Sequence, residues 1–220
     1  KTSARANSID AQNFPSPSFN TVGVAAVISG VTGGTSDYAL ESWYGRLNFA
    51  WKDRYVLNAT LRADGSSRFA PKYRWGMFPS VSLGWNVSKE DFWPNPATEL
   101  KIRASYGMTG NQDGISNYGW QPLISGGANY GGISGIAVSS KGNENLTWET
   151  AGQYDVGFDL SFLKGKVNMM FDTYLKNTHD LLYNMPMHAT SGQTAILANI
   201  GSMRNYGVEF TLNTHVDLGP

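Results

Sequence analysis

Two-residue alternation, repeated in about seven separate segments, is the feature that most limits what this chain can fold into. Trp43, Leu47, Phe49 and Trp51 share one parity, while Tyr44, Arg46, Asn48 and Lys52 take the other. Leu57, Ala59 and Leu61 oppose Asn58, Thr60 and Arg62; Val81, Leu83 and Trp85 oppose Ser80, Ser82 and Asn86. Ile102, Ala104 and Tyr106 oppose Lys101, Arg103 and Ser105. The pattern returns over residues 154–162, 167–176 and 206–213. Successive strand side chains point to opposite faces, so each segment reads as a strand with one apolar and one polar face.

These strands run to about nine to eleven residues, against a usual length of about five or six, which matches a tilted strand crossing a bilayer. Alternation alone suits a soluble sandwich equally well. Connection lengths separate the two. Lys52-Asp53-Arg54 and Leu163-Lys164-Gly165 are tight turns, whereas 64–75, 110–145 and 183–201 are long and fall on every second connection. Short turns at one end and long loops at the other are the layout of outer-membrane barrels. On that layout Asp53, Pro94 and Gly165 are periplasmic and Ser67, Gly127 and Gln193 extracellular, although 88–99 is long for a periplasmic turn. Aromatic residues gather near the strand ends, as two interfacial girdles require. Trp43, Trp75, Phe78, Tyr106, Trp148, Tyr174 and Tyr206 fall on the loop side; Trp51, Tyr55, Phe92, Trp93 and Phe162 fall on the turn side.

Seven strands do not close a barrel of this kind, which takes an even count from about eight upward. An open edge in lipid would leave backbone groups unpaired. The expected fold class is all-β: an antiparallel transmembrane β-barrel segment, about seven long strands of a larger barrel, with long extracellular loops. Residues 1–37 alternate poorly and read as an extracellular loop region; residues 38–220 read as the barrel segment, incomplete at both ends. Composition trims the alternatives. Lys+Arg and Asp+Glu are 17 each, so the formal charge is zero, without the basic excess of a nucleic-acid binder. The absence of cysteine removes disulfides, thiolate metal sites and thiol nucleophiles. The longest nearly apolar run, 22–31, falls short of the about 20 residues of a membrane helix.

Several runs resemble the signature sequences of SusC/RagA-like TonB-dependent transporters. They are Tyr44-Gly45-Arg46-Leu47-Asn48-Phe49 with Lys52-Asp53-Arg54-Tyr55, then Leu61-Arg62-Ala63-Asp64-Gly65-Ser66-Ser67-Arg68-Phe69 and Phe78-Pro79-Ser80-Val81-Ser82-Leu83-Gly84-Trp85. Leu100-Lys101-Ile102-Arg103-Ala104-Ser105-Tyr106-Gly107, Thr109-Gly110-Asn111-Gln112, Asn145-Leu146-Thr147-Trp148-Glu149-Thr150 and Asn205-Tyr206-Gly207-Val208-Glu209-Phe210 continue the likeness. The resemblance implies the later part of a barrel of about 22 strands in the outer membrane of a Gram-negative bacterium. It further implies a plug domain, energy delivered through TonB, and a SusD-like surface lipoprotein that captures oligosaccharides or peptides. A nutrient importer of this kind is no enzyme and needs no cofactor. A passive porin or adhesion barrel and a soluble carbohydrate-binding β-sandwich are the alternatives.

Few residues suggest chemistry. His179, His188 and His215 are scattered, with no second ligand at metal spacing. Asp155, Asp159 and Asp172 share the polar parity with Arg46, Arg62, Lys101 and Arg103. A water-filled lumen of mixed charge accounts for them more simply than a glycosidase pair does. Substrate contacts are expected from the longest loop, where Asn111, Gln112, Tyr118, Trp120 and Tyr130 combine amides with rings suited to sugar hydroxyls and faces.

Overall fold

The computed structural model of the chain describes residues 2–13, 25–94 and 97–215. It divides into two compact units, Lys1–Leu40 and Glu41–Pro220. In the first unit β1 (Thr2–Gln12) and β2 (Val27–Tyr38) pair as an antiparallel hairpin with Ala6 opposite Gly34 and a bulge at Asp10/Ala11. Residues 1–37 were expected as loop. The hairpin's alternation is hidden in sequence by small residues, among them Gly30, Gly33 and Gly34, which mark no face.

The second unit contains β3 (Leu40–Trp51), β4 (Tyr55–Ser66), β5 (Trp75–Asn86), β6 (Glu99–Asn111), β9 (Glu149–Phe162), β10 (Val167–His179) and β13 (Ser202–Thr214). These seven strands form one sheet in the order β13-β10-β9-β6-β5-β4-β3, an antiparallel meander open at both edges. The long connections carry hairpins of their own. β7 (Leu123–Tyr130) pairs with β8 (Ile133–Ser140), and β11 (Leu182–Pro186) pairs with β12 (Ala195–Asn199).

Register turns the alternation into two chemically distinct faces. One row runs Leu57, Leu83, Ala104, Val156, Thr173, Val208 across six strands. Its neighbour runs Tyr55, Trp85, Ile102, Phe158, Phe171, Phe210, an aromatic band that takes in Tyr55 of the expected turn-side rings, while Phe162 is registered with Val167 in another row. Within it Tyr55 stacks on Trp85 and Phe158 on Phe171, at centroid distances of 6.3 and 5.6 Å. The opposite face carries Asn58, Ser82, Ser105 and Asp155 in one row. No second sheet covers the apolar face among the described residues: Leu83 is 56% exposed, Val156 52% and Val208 69%. A soluble sandwich would bury these side chains against a partner sheet, so that alternative is set aside.

Buried apolar residues instead collect at the long-loop end, where Phe69, Phe78, Ile115, Leu146 and Trp148 form a small core. Phe78 and Trp148 therefore belong to the loop core and leave the girdle. Tyr174 is registered with Asp155 and Gly207 on the polar face and leaves it too.

Candidate functional site

Three groupings on the second unit hold side chains capable of recognition. On the polar face Arg103 of β6 reaches a carboxylate on β9 and another beyond it on β10. Its Nε and Nη2 donate to Asp159 at 3.0 and 2.8 Å, and Nη2 also donates to Asp172 at 3.1 Å. Gly157 lies between Arg103 and Asp172 in the same row. A Cβ there would overlap the Asp172 carboxylate and stand 2.6 Å from the Phe171 carbonyl oxygen, so glycine is what opens the passage. One guanidinium bridges the two carboxylates, and both accept its hydrogen bonds. Asp155 is engaged as well, accepting from Ser105 Oγ and from Gln153 Nε2. Arg46, Thr60, Thr109 and Lys176 join Asn58, Ser82, Ser105 and Asp155 around a shallow polar hollow of about 450 Å³. This is a hydrated wall of mixed charge. Among the described residues no cluster of three His, Cys, Asp or Glu side chains could hold a metal ion.

The long-loop end is stitched together side chain by side chain. The 64–69 run folds inward because Ser66 and Phe69 are fully buried. Trp148 lies 4.9 Å from Phe69 and 5.5 Å from Phe78, ring centroid to centroid, and its Nε1 donates to the Arg74 carbonyl at 3.2 Å. Glu149 accepts from Asn111 Nδ2 through one oxygen and from the Leu182 amide through the other. Asn199 Nδ2 donates to the carbonyls of Thr147 and Asp180, both at 2.8 Å, while its oxygen accepts the Thr147 amide at 2.9 Å. Three connections, 67–74, 112–148 and 180–201, thus share one frame.

Against that frame the five expected contact residues separate. Asn111 ends β6 and is committed to Glu149 and to the Asp113 amide. Gln112 is half-buried with its Oε1 enclosed and unpaired among the described residues. Tyr118 and Trp120 are half-buried in the same connection. Tyr130 ends β7, and its side chain lies outside the described residues. Of the described side chains the structure ties Asn111 to the frame, through Glu149. Sequence reasoning missed Glu149 and Asn199 as organisers. The signal for Glu149 lies in the 145–150 run, which resembles the family without showing a physical role by itself.

At the opposite, short-turn end the 87–98 connection closes on Glu90. Tyr55 Oη and Trp85 Nε1 both donate to Glu90 Oε1, at 2.6 and 2.9 Å, and Arg54 Nη1 donates to Oε2 at 2.9 Å. The hydrogen bonds from Tyr55 and Trp85, with help from the Arg54 charge, hold the Glu90 carboxyl below its ordinary value of 4.5. Arg54 also pairs with Asp91 at 2.7 Å. The length of this turn, awkward on sequence alone, is what lets Glu90 fold back onto the aromatic band.

The comparisons with known proteins agree with this geometry. Residues 3–219 match the family described as TonB dependent receptor-like, beta-barrel. The chain belongs to that family. It is 38% identical over 208 residues to TonB-dependent receptor P39 of Formosa agariphila, covering 94% of this chain and 20% of that protein. It is 37% identical over 183 residues to TonB-dependent receptor SusC of Bacteroides thetaiotaomicron, covering 79% of this chain and 18% of SusC. A chain in the structure of the RagAB peptide importer in the 'closed-closed' state superposes with a TM-score of 0.87 at 26% identity, covering 99% of this chain and 25% of that one. The SusC/RagA likeness read from the signature runs is thereby established, and the match extends into residues 3–37, where no run had been recognised. The chain spans about a fifth of the length of the curated relatives it matches. Its seven-stranded sheet is a stretch of β-barrel wall.

Proposed function

We propose that this chain is wall and mouth of a SusC-like nutrient importer in the outer membrane of a Gram-negative bacterium, energised through TonB and working with a SusD-like lipoprotein. The cargo is an oligosaccharide or a peptide. Two names support that breadth, since one relative is called SusC and a structural neighbour is the RagAB peptide importer. The observation that carries the reading is the two-faced sheet, whose exposed apolar rows suit lipid while its polar rows suit a hydrated passage. In this reading residues 1–37 lie on the extracellular side and the long-loop frame forms the mouth. Gln112, Tyr118, Trp120 and Tyr130 contact cargo there, and Asn111 positions them through Glu149. Uptake of a labelled maltooligosaccharide or oligopeptide by cells carrying the full-length protein tests it. Uptake should stop when TonB or the partner lipoprotein is deleted and weaken in Trp120→Ala. Uptake that persists without TonB refutes the importer reading in favour of a passive pore.

A further inference from the structure

Between the 112–122 connection, the start of the 141–148 connection and β12 lies a cavity of about 240 Å³ that the wall and core do not use. Ser116, Ser140, Lys141 and Asn184 line it, with Ile196 and Leu197 as an apolar floor. The lining holds one cation and no carboxylate. Asp113 and Glu144, the acidic residues nearest in sequence, are exposed and stand outside it. Lys141 has no ion-pair partner among the described residues.

Asn143 fixes the cavity's walls to one another. Its amide donates to the Gly119 carbonyl at 3.2 Å, its Nδ2 donates to the Leu197 carbonyl at 2.9 Å, and its Oδ1 accepts the Asn145 amide at 3.0 Å. The Ser140 hydroxyl accepts the Gly142 amide and keeps its own proton to donate. The site is therefore organised before any ligand arrives, which lowers the ordering cost of binding.

We propose that this cavity is a subsite for a carboxylate carried by the cargo. Lys141 is exposed and lines the cavity with Ser116, Ser140 and Asn184, and a cation, two hydroxyls and an amide around one cavity can offer charge-assisted hydrogen bonds to an anionic oxygen pair. The lining has no aromatic ring on which a neutral sugar face could stack. At about 240 Å³ the cavity is smaller than drug-sized sites of roughly 300–1,000 Å³, so it takes one residue or one ring of a longer ligand. The carboxylate could belong to a peptide or to a uronic acid, and Lys141 would meet either in the same way. This inference rests on the importer reading and narrows its cargo.

Binding to the full-length protein in detergent at low salt, followed by calorimetry, tests it with two pairs of probes. One pair is trigalacturonate and its fully methyl-esterified form; the other is a hexa-alanine peptide with a free or an amidated C-terminus. The acidic member of at least one pair should bind tenfold or more tightly than its neutral partner, and the pair that discriminates names the source. Lys141→Met should erase that preference while leaving the neutral probes unchanged, and Lys141→Arg should restore most of it. Ile196→Trp, which fills the floor without touching the charge, should weaken the acidic probe as well. Equal binding within both pairs, or a preference that survives Lys141→Met, overturns the subsite. Uptake measured in parallel separates the two claims: loss of uptake without TonB keeps the importer standing even where the subsite falls.

Discussion

Replacing Phe69 with alanine should loosen the mouth of the barrel and leave its wall intact. Phe69 is fully buried, with its ring 4.9 Å from Trp148 at an interplanar angle of 38°. Removing a buried phenylalanine costs about 3–5 kcal/mol from lost transfer energy and the cavity left behind. The ring–ring contact makes up about 0.5–1.5 kcal/mol of that loss. Among the described residues the loop core is small, with Phe69, Phe78, Ile115, Leu146 and Trp148 buried and Met108, Leu182 and Leu197 packed against them, so the local loss is large. The wall is held by backbone ladders between β4, β5, β6 and β9 that meet this core only at Phe78, opposite Arg62 at the loop end of β5. Hydrogen exchange on the full-length protein in detergent reads the difference peptide by peptide. Since about 1.4 kcal/mol corresponds to tenfold, protection over 66–74, 112–119 and 142–149 should fall by about a hundredfold or more, with 55–62 and 100–107 unchanged. Unaltered loops would show that the core does not organise the mouth. Equal loosening of wall and loops would show that the two are one cooperative unit, and either result refutes the reasoning.

Leu83→Arg, on the outward row at 56% exposure, should destabilise the barrel in bilayers by about 2–4 kcal/mol; a refolding titration in which Ser82→Arg costs as much would contradict the assignment of faces. Asn199→Ala removes three hydrogen bonds, each worth about 1 kcal/mol net, and limited proteolysis should then cut within 182–199. Gly157→Ala should cost about 1–3 kcal/mol through overpacking and break the Arg103–Asp172 contact, which a structure of the variant would reveal; an unchanged Arg103 position would contradict the passage. Glu90 has its native carboxyl below 4.5, so its stabilising contribution is full above that pH and fades as the pH falls through the lower native value. Thermal midpoints measured from neutral pH downward should show that acid step in the wild type and lose it in Glu90→Gln.

Sequence alone carried the wall further than the mouth. Strands β3 to β6, β9, β10 and β13 were legible because each buries nothing on one face and wets the other, so parity survives in the letters. The turns at 52–54 and 163–165 were legible because a tight reversal leaves few residues to interpret. The β1–β2, β7–β8 and β11–β12 hairpins were not, since small residues and short strands erase the two-residue contrast. Phe78 and Trp148 were misplaced for a different reason. An aromatic near a strand end can face lipid or turn beneath a loop, and only the packing of residues 69, 115 and 146 decides which. Lys141 is uninformative in sequence because a lone lysine gains meaning only when distant stretches of two connections close around it.

The hairpin β7–β8 contains no charged residue from Leu123 to Ser140 and pairs chiefly with itself, touching its neighbour through Gln193 Nε2, which donates to the Val138 carbonyl. The contacts described above that clamp the mouth lie to either side of it, in residues 64–78, 111–119, 143–149 and 180–199. Residues 123–139 can therefore be swapped as a cassette, lengthened or repainted, without renegotiating how the chassis assembles, provided Ser140 keeps its bond to the Gly142 amide. Retuning what such a gate admits then calls for one graft rather than a new barrel.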